Sequence, residues 1–416
     1  MHYLFILGHQ PHISVAELKA IFSQYNISYI TEKQTPEHLL IETSKKLDTQ
    51  ELIDKLGGTI QIGEYILSTL SPKETIIHEL GKCDGKIHFS ISGNNAKRLA
   101  LEIKKELKKD GKSVRYVEAK NTATILHNNL VDKKSHFIIS GTDVFVTTAI
   151  QDIEDFSRRD YDRPGSDSTS GMLPPKLARI MINLAQADTS ATLLDPFCGS
   201  GTILTEALSL GYTKLIGSDL STKAISDTRQ NIEWMLTGNP PLGGRTMEQL
   251  SSRAHFDFDE LPFGSEPLRV EDSRIVVTQR NQVEGWDNIQ LIESDATNLS
   301  KYINPNSVTA IISEPYMGKP LRGNETKTQL HTQANELAKL YIKSFEQFHK
   351  ILKKNGHAIF VIPKFKFNKE WISINCLDQI KKIGFELVPF DSTHESLLYH
   401  RPKQFVGREI WKFKKI

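Results

Sequence analysis

Residues 193–202 read Leu-Leu-Asp-Pro-Phe-Cys-Gly-Ser-Gly-Thr, and a later apolar run, Val308-Thr-Ala-Ile-Ile312, ends in Ser313-Glu314-Pro315-Tyr316. The second motif could do chemistry on an amine conjugated to a ring. Such an amine is a poor nucleophile because its lone pair is delocalised, and it needs acceptors that hold its hydrogens while the lone pair turns toward an electrophile. The Glu314 carboxylate and a backbone carbonyl fixed by Pro315 would be those acceptors, and the Tyr316 ring could stack on a base to fix its plane. Ser313, Glu314, Pro315 and Tyr316 are therefore the candidate catalytic residues, with Glu314 foremost.

The first motif would hold the electrophile. Leu193 and Leu194 suit a buried parallel strand. Gly199 and Gly201 permit a tight turn, and Ile203, Leu204, Ala207 and Leu208 begin a helix by their spacing. A dinucleotide fingerprint would place a third glycine at 204, where Leu204 stands, and no phosphate-loop lysine follows. The turn opens instead with Asp195, which would repel a pyrophosphate and accept from an ammonium. S-adenosyl-L-methionine carries an amine and a sulfonium and no phosphate. Two further acids end apolar runs: Asp219, followed by Leu220, is placed for ribose hydroxyls, and Asp295, followed by Ala296, for an adenine amino group. The candidate cofactor residues are Asp195, Pro196, Phe197, Cys198, Gly199, Gly201, Thr202, Asp219, Leu220, Asp295 and Ala296. Singly, each acid reads as a loop or capping residue; three in order, each closing an apolar run, read as a binding set.

The elements that must position these residues follow from the rest of the chain. With 416 residues, 38% hydrophobic and 25% charged, it is long enough for several domains and has the composition of an ordinary soluble protein. Three scattered cysteines, Cys83, Cys198 and Cys376, offer neither a zinc spacing nor a disulfide framework, so no metal is expected and a reducing cytoplasm is the simplest compartment. The apolar run 3–7 is short and lacks a basic leader, and no run of eighteen apolar residues exists, so no membrane span is expected.

An α/β fold in three parts is expected. Residues 1–73 alternate strand-like and helix-like pieces and read as a small α+β unit. Residues 74–151 read as a second, with strands at 87–91, 113–118, 137–140 and 144–150 and helices at 96–109 and 122–130. Residues 152–175, dense in charge, Gly and Pro, read as a linker. From 176 to 416 a helix precedes strands at 192–197, 214–220, 289–293, 308–313 and 357–363, with a helix at 330–352 and closing strands at 385–390 and 404–413, as an open α/β sheet requires. Residues 236–285 interrupt this alternation and are an insertion, a lid or a recognition element.

Charge is uneven. Residues 1–80 hold 6 Lys/Arg against 10 Asp/Glu, whereas residues 81–120 hold 11 against 5. In the helix 96–109, Leu99, Ile103 and Leu107 form an apolar stripe that leaves a cationic face. Lys97, Arg98, Lys104, Lys105, Lys108, Lys112, Arg115 and Lys120 are the candidate RNA-binding residues, placed to grip a phosphate backbone without reading sequence.

The motif Asp195-Pro-Phe-Cys-Gly-Ser-Gly-Thr202 resembles the cofactor motif of class I, S-adenosylmethionine-dependent amino-methyltransferases. Arg159-Asp-Tyr-Asp-Arg-Pro164, followed by Met172-Leu-Pro-Pro-Lys-Leu-Ala-Arg179, resembles the stretch before that motif in THUMP-domain tRNA (guanine-N2)-methyltransferases, the group acting on guanosine-10. Tyr3-Leu-Phe-Ile-Leu-Gly8, Ser14-Val-Ala-Glu-Leu18 and Ser113-Val-Arg-Tyr-Val117 are similar to its N-terminal parts. The resemblance implies a ferredoxin-like domain, a THUMP domain and a Rossmann-like methyltransferase domain. It also implies tRNA as partner, N2 methylation of guanosine and, as in some relatives, a small activator subunit.

At the catalytic strand the chain departs from that family, whose pattern is Asp or Asn followed by Pro-Pro-Tyr or Pro-Pro-Phe. Matching Pro-Tyr aligns Ser313 with the usual acid or amide; matching carboxylates aligns Glu314. Two other readings therefore stand beside the first: an amino-methyltransferase on adenine in DNA or another RNA, and a non-catalytic RNA-binding protein that retains the fold.

Overall fold

The computed structural model describes residues 1–165, 172–237, 286–402 and 404–416. The expected insertion at 236–285 lies almost wholly outside them.

The N-terminal part runs β1 (His2–Leu7), α1 (Pro11–Gln24), β2 (Tyr29–Gln34), β3 (His38–Thr43), α2 (Thr49–Lys55) and β4 (Thr59–Tyr65). It continues through α3 (Pro72–Gly81), β5 (Ile87–Gly93), α4 (Ala96–Lys109), β6 (Val114–Tyr116), α5 (Thr122–His127), β7 (His136–Ser140) and β8 (Asp143–Ile150). These strands form one eight-stranded sheet in the order β2-β3-β1-β4-β8-β7-β5-β6. The joint is β4, which pairs antiparallel with β1 on one side and with β8 on the other. Helix α3 begins where the composition changes, with Ser71 and Glu74 closing a reciprocal capping box ahead of Pro72.

The stretch expected as a linker contains a helix, α6 (Ile153–Tyr161). Its composition is misleading because two of its arginines, Arg159 and Arg163, turn inward. Arg159 donates to Glu206 Oε1 at 2.5 Å and also to Asp155, and Arg163 donates to Thr202 Oγ1 at 2.5 Å. From α7 (Pro175–Ala185), Arg179 donates to Glu206 Oε2 at 2.9 Å. Glu206 is fully buried between two guanidinium groups, which its two oxygens satisfy.

The second sheet follows with β9 (Thr192–Asp195), α8 (Thr202–Ser209), β10 (Lys214–Asp219), α9 (Thr222–Leu236), β11 (Ile289–Glu293) and β12 (Val308–Ser313). After these come α10 (Lys327–Ile351), β13 (Leu352–Phe367), β14 (Glu370–Ile372), α11 (Leu377–Ile383), β15 (Phe385–Leu387), β16 (Ser396–Tyr399) and β17 (Val406–Lys415). Its main path is β11-β10-β9-β12-β13-β17-β15, parallel from β11 to β13, with β17 antiparallel between β13 and β15. Side chains alternate between two cores, as the strand period requires. Leu193, Ala310, Ile312, Ile359 and Val361 face the layer of α7, α8 and α9. Leu194, Ile311, Ala358, Phe360 and Ile362 face α10 and α11. Strand order reverses between β9 and β12, which makes the carboxyl ends of those two strands the crevice for a ligand.

The two parts of the molecule share a core. Ile13, Ala16 and Ala20 of α1 pack with Leu177 and Met181 of α7. At this seam Glu17 is fully buried, accepting from Gly57 N–H at 2.8 Å, Gly58 N–H at 2.7 Å and Asn183 Nδ2 at 2.7 Å. Burial pushes its carboxyl up to about 7 despite those donors.

Candidate active site at the carboxyl edge of the second sheet

Asp195 ends β9 and is 1% exposed. Its Oδ1 accepts from Ser313 Oγ at 2.8 Å and from Phe197 N–H at 3.2 Å. Burial pushes its carboxyl up to about 7; the Ser313 and Phe197 bonds act against that, and the Asp219 and Glu314 charges add to it. An ammonium at this spot would reverse the balance.

The turn after Asp195 is tied to β10. Cys198 N–H donates to Ser218 O at 2.9 Å and Gly199 N–H donates to Asp219 Oδ2 at 3.0 Å. Gly199 has φ +53°, and among the described residues a Cβ there would meet nothing within 4 Å. Gly201 is required for a different reason: with φ +83° it lies where a Cβ would come 2.8 Å from Thr228 Cγ2. Pro196 and Cys198 are buried beneath the turn, while Phe197 is half-buried. Asp219 spends part of its acceptor capacity on the protein, since Oδ1 also accepts from Ser221 N–H at 2.9 Å. Beside it Leu220 is 71% exposed, an apolar surface at the crevice. Asp295 caps the 3-10 turn Ala296–Lys301, with Oδ1 accepting from Thr297 N–H at 2.8 Å, and Ala296 is buried behind it.

β12 delivers the second motif to the same crevice and separates its residues. Ser313 is fully buried and turned to Asp195, whereas Glu314 lies just beyond the strand with its side chain 11% exposed. Glu314 Oε1 accepts from Arg408 Nε of β17. Pro315 is buried, and the Tyr316 ring is 54% exposed. The Tyr316 carbonyl accepts from the hydroxyl of buried Tyr341 at 2.7 Å, which anchors the loop while leaving the ring free. Arg408 and Tyr341 were missed by the sequence reading. A single Arg in an antiparallel strand and a Tyr on a helix stripe carry no local signal.

The basic face is divided among several tasks. Lys97 pairs with Glu118 and Arg98 with Glu102, and Lys112 donates to Gly81 O at 3.3 Å. Lys105, Lys108, Arg115 and Lys120 are exposed and Lys104 is half-buried. β5 and β6 place His88 opposite Arg115, and because Ile87, Phe89, Val114 and Tyr116 pack toward α4, these two lie on the other face of the sheet, where the charges of Lys86 and Lys133 also bear on His88. Lys86 and Lys133 thus adjoin Arg115 and not the α4 lysines, although composition alone did not point to them.

Residues 163–236, which hold the turn motif and Asp219, match the UPF0020 family model, described as the RMKL-like methyltransferase domain. This part of the chain is a methyltransferase domain. Such a domain takes S-adenosyl-L-methionine as its methyl donor, and the residues here fit that group: a buried acid, an open glycine turn and two further acids at strand ends. Over 63 residues the chain is 41% identical to the tRNA (guanine(10)-N2)-dimethyltransferase of Methanothermobacter thermautotrophicus, covering 15% of this chain and 18% of that protein. Over 187 residues it is 28% identical to the ribosomal RNA large subunit methyltransferase K/L of Shewanella sediminis, covering 44% of this chain and 25% of that one. The chain therefore spans a quarter or less of the length of these relatives. TrmN from Thermus thermophilus shares the fold along the full length of both chains, with a TM-score of 0.51 and 15% identity. Among the described residues, no group of three or more His, Cys, Asp or Glu could hold a metal ion, and no helix is long and apolar enough to cross a membrane.

Proposed function

We propose that the protein is an S-adenosyl-L-methionine-dependent RNA methyltransferase that acts on the exocyclic N2 of a guanosine in tRNA, with guanosine-10 the first position to examine. The observation that carries this reading is the convergence of Glu314, an acceptor at the crevice mouth, on the Asp195 cradle at the reversal of strand order. The tRNA (guanine(10)-N2)-dimethyltransferase of M. thermautotrophicus, as a relative, supports the guanine-N2 assignment. Residues 1–73 would be a ferredoxin-like domain and 74–151 a THUMP domain whose Lys105, Lys108, Arg115 and Lys120 meet the RNA backbone. The compartment would be the cytoplasm.

When bound, the cofactor supplies an electrophilic methyl group on its sulfonium. The chain's own residues would do the rest. Asp195 would accept from the cofactor ammonium, Asp219 from its ribose and Asp295 from its adenine amine. Tyr316 would stack on the target base, and Glu314 would accept an N2 hydrogen so that the lone pair faces the methyl carbon. Arg408 engages Oε1 of Glu314, and Oε2 would take the N2 hydrogen.

The test is nucleoside mass spectrometry of unmodified tRNA incubated with the protein and methyl-labelled cofactor. N2-methylguanosine or N2,N2-dimethylguanosine is expected. Cofactor binding without label transfer, or label in N6-methyladenosine, would overturn the reading. The longer match to the ribosomal enzyme makes large-subunit ribosomal RNA the second substrate to supply.

A further inference from the structure

Arg408 is a charged side chain brought to the reaction edge with no obvious need to be there. It lies on β17 opposite Pro363 of β13, three residues beyond Phe360, the partner of Ser313. From there the Arg408 and Glu314 side chains reach toward each other across β13, together covering roughly two strand spacings or ~10 Å. Both side chains are mostly enclosed, at 15% and 11% exposure, so neither partner is a solvated surface charge. A neighbouring pair, Lys364 with Glu409 at 2.5 Å, satisfies the next charges along these strands without involving Arg408.

We infer that Arg408 is a positioning residue that holds Glu314 as an acceptor-only carboxylate, and that the pair thereby selects guanine over bases whose ring nitrogen beside the amine is an acceptor. This inference rests on the guanine-N2 reading given above. An ionised carboxylate has acceptors and no donor. Guanine presents N1–H beside the N2 amine, two adjacent donors that match the two oxygens of one carboxylate. Adenine and 2-aminopurine present an acceptor beside their amine, which would face a Glu314 lone pair. With Oε1 held by Arg408 Nε, the carboxylate cannot swing to relieve that repulsion. Glutamine at 314 could satisfy the other pattern, with its carbonyl toward the amine and its NH2 toward the ring nitrogen.

The experiment uses the full chain and tRNA transcripts carrying guanine or 2-aminopurine at the nucleotide mapped by mass spectrometry. Wild type should favour guanine by about 10- to 100-fold in kcat/KM. Arg408→Met should lower kcat on guanine by a similar factor with KM for tRNA nearly unchanged, and should narrow the discrimination; Arg408→Lys should recover part of both. Glu314→Gln should invert the preference, and it tests the pairing separately should Arg408→Met fail to fold. Wild-type kcat and discrimination in a folded Arg408→Met protein, or an unchanged preference in Glu314→Gln, would overturn the inference while N2-methylguanosine formation by wild type keeps the broader function. A wild type that forms no N2-methylguanosine overturns both.

Discussion

Ser313 Oγ donates to Asp195 Oδ1 across 2.8 Å and 118 residues of sequence, which joins the end of the catalytic-motif strand to the acid at the base of the cofactor turn. Ser313 is thereby turned to Asp195, and its neighbour Glu314 to Arg408. The bond orients one lone pair of a carboxylate that has almost no solvent around it.

Ser313→Ala should therefore weaken cofactor binding more than it weakens folding. Loss of a bond to a charged acceptor is worth about 1.5–3 kcal/mol. A rise in Kd of roughly 10- to 100-fold is expected by calorimetry, and an unchanged Kd would show that the bond does not prepare Asp195.

Cofactor affinity should depend on pH through Asp195. Its carboxyl is pushed up to about 7 in the free protein, and an ammonium favours the ionised form. Affinity should thus tighten as pH rises from about 5.5 toward 8, by as much as tenfold per pH unit below 7. Asp195→Asn should flatten the profile and weaken binding at pH 8.

Folding stability should move the other way. Glu17 and Asp195 are both raised in the native state, so between their unfolded values and about 7 the native protein holds more protons than the unfolded chain. Their contribution is fully present below about pH 4 and is lost as pH rises through 7. Glu17→Gln should remove its part of that slope. At pH 5 the change itself should cost little, because the native carboxyl is then protonated and, like an amide, already presents a donor among those of Gly57, Gly58 and Asn183. Urea titrations at several pH values would measure both effects.

Glu206→Gln should be among the most damaging single changes. It leaves the buried guanidinium groups of Arg159 and Arg179 without their shared counter-charge, a loss of about 3–5 kcal/mol. Stability within 1 kcal/mol of wild type would mean that Asp155 compensates for Arg159.

Replacing Lys105, Lys108 and Arg115 together by Gln should weaken tRNA binding and reduce the slope of log K against log salt by about 2 to 3, with cofactor Kd unchanged. Retention of the full slope would remove these three side chains from the RNA interface.

Local periodicity and turn chemistry carried much of this protein. The apolar runs ending in Asp195, Asp219 and Ser313, the glycines at 199 and 201, and the stripe through Ile103 and Leu107 were all legible, because strand alternation, helix spacing and positive φ are properties of neighbouring residues. The tertiary structure alone decided three things. It joined the N-terminal strands into one sheet through β4, which has only a weak pattern of its own. It turned Arg159 and Arg163 inward onto Glu206 and Thr202. And it separated Ser313 from Glu314, giving one to Asp195 and the other to Arg408, 94 residues away. Side-chain identity reveals what a group can donate or accept. Which partner stands opposite depends on strand order and register, and those arise from packing between segments distant in sequence.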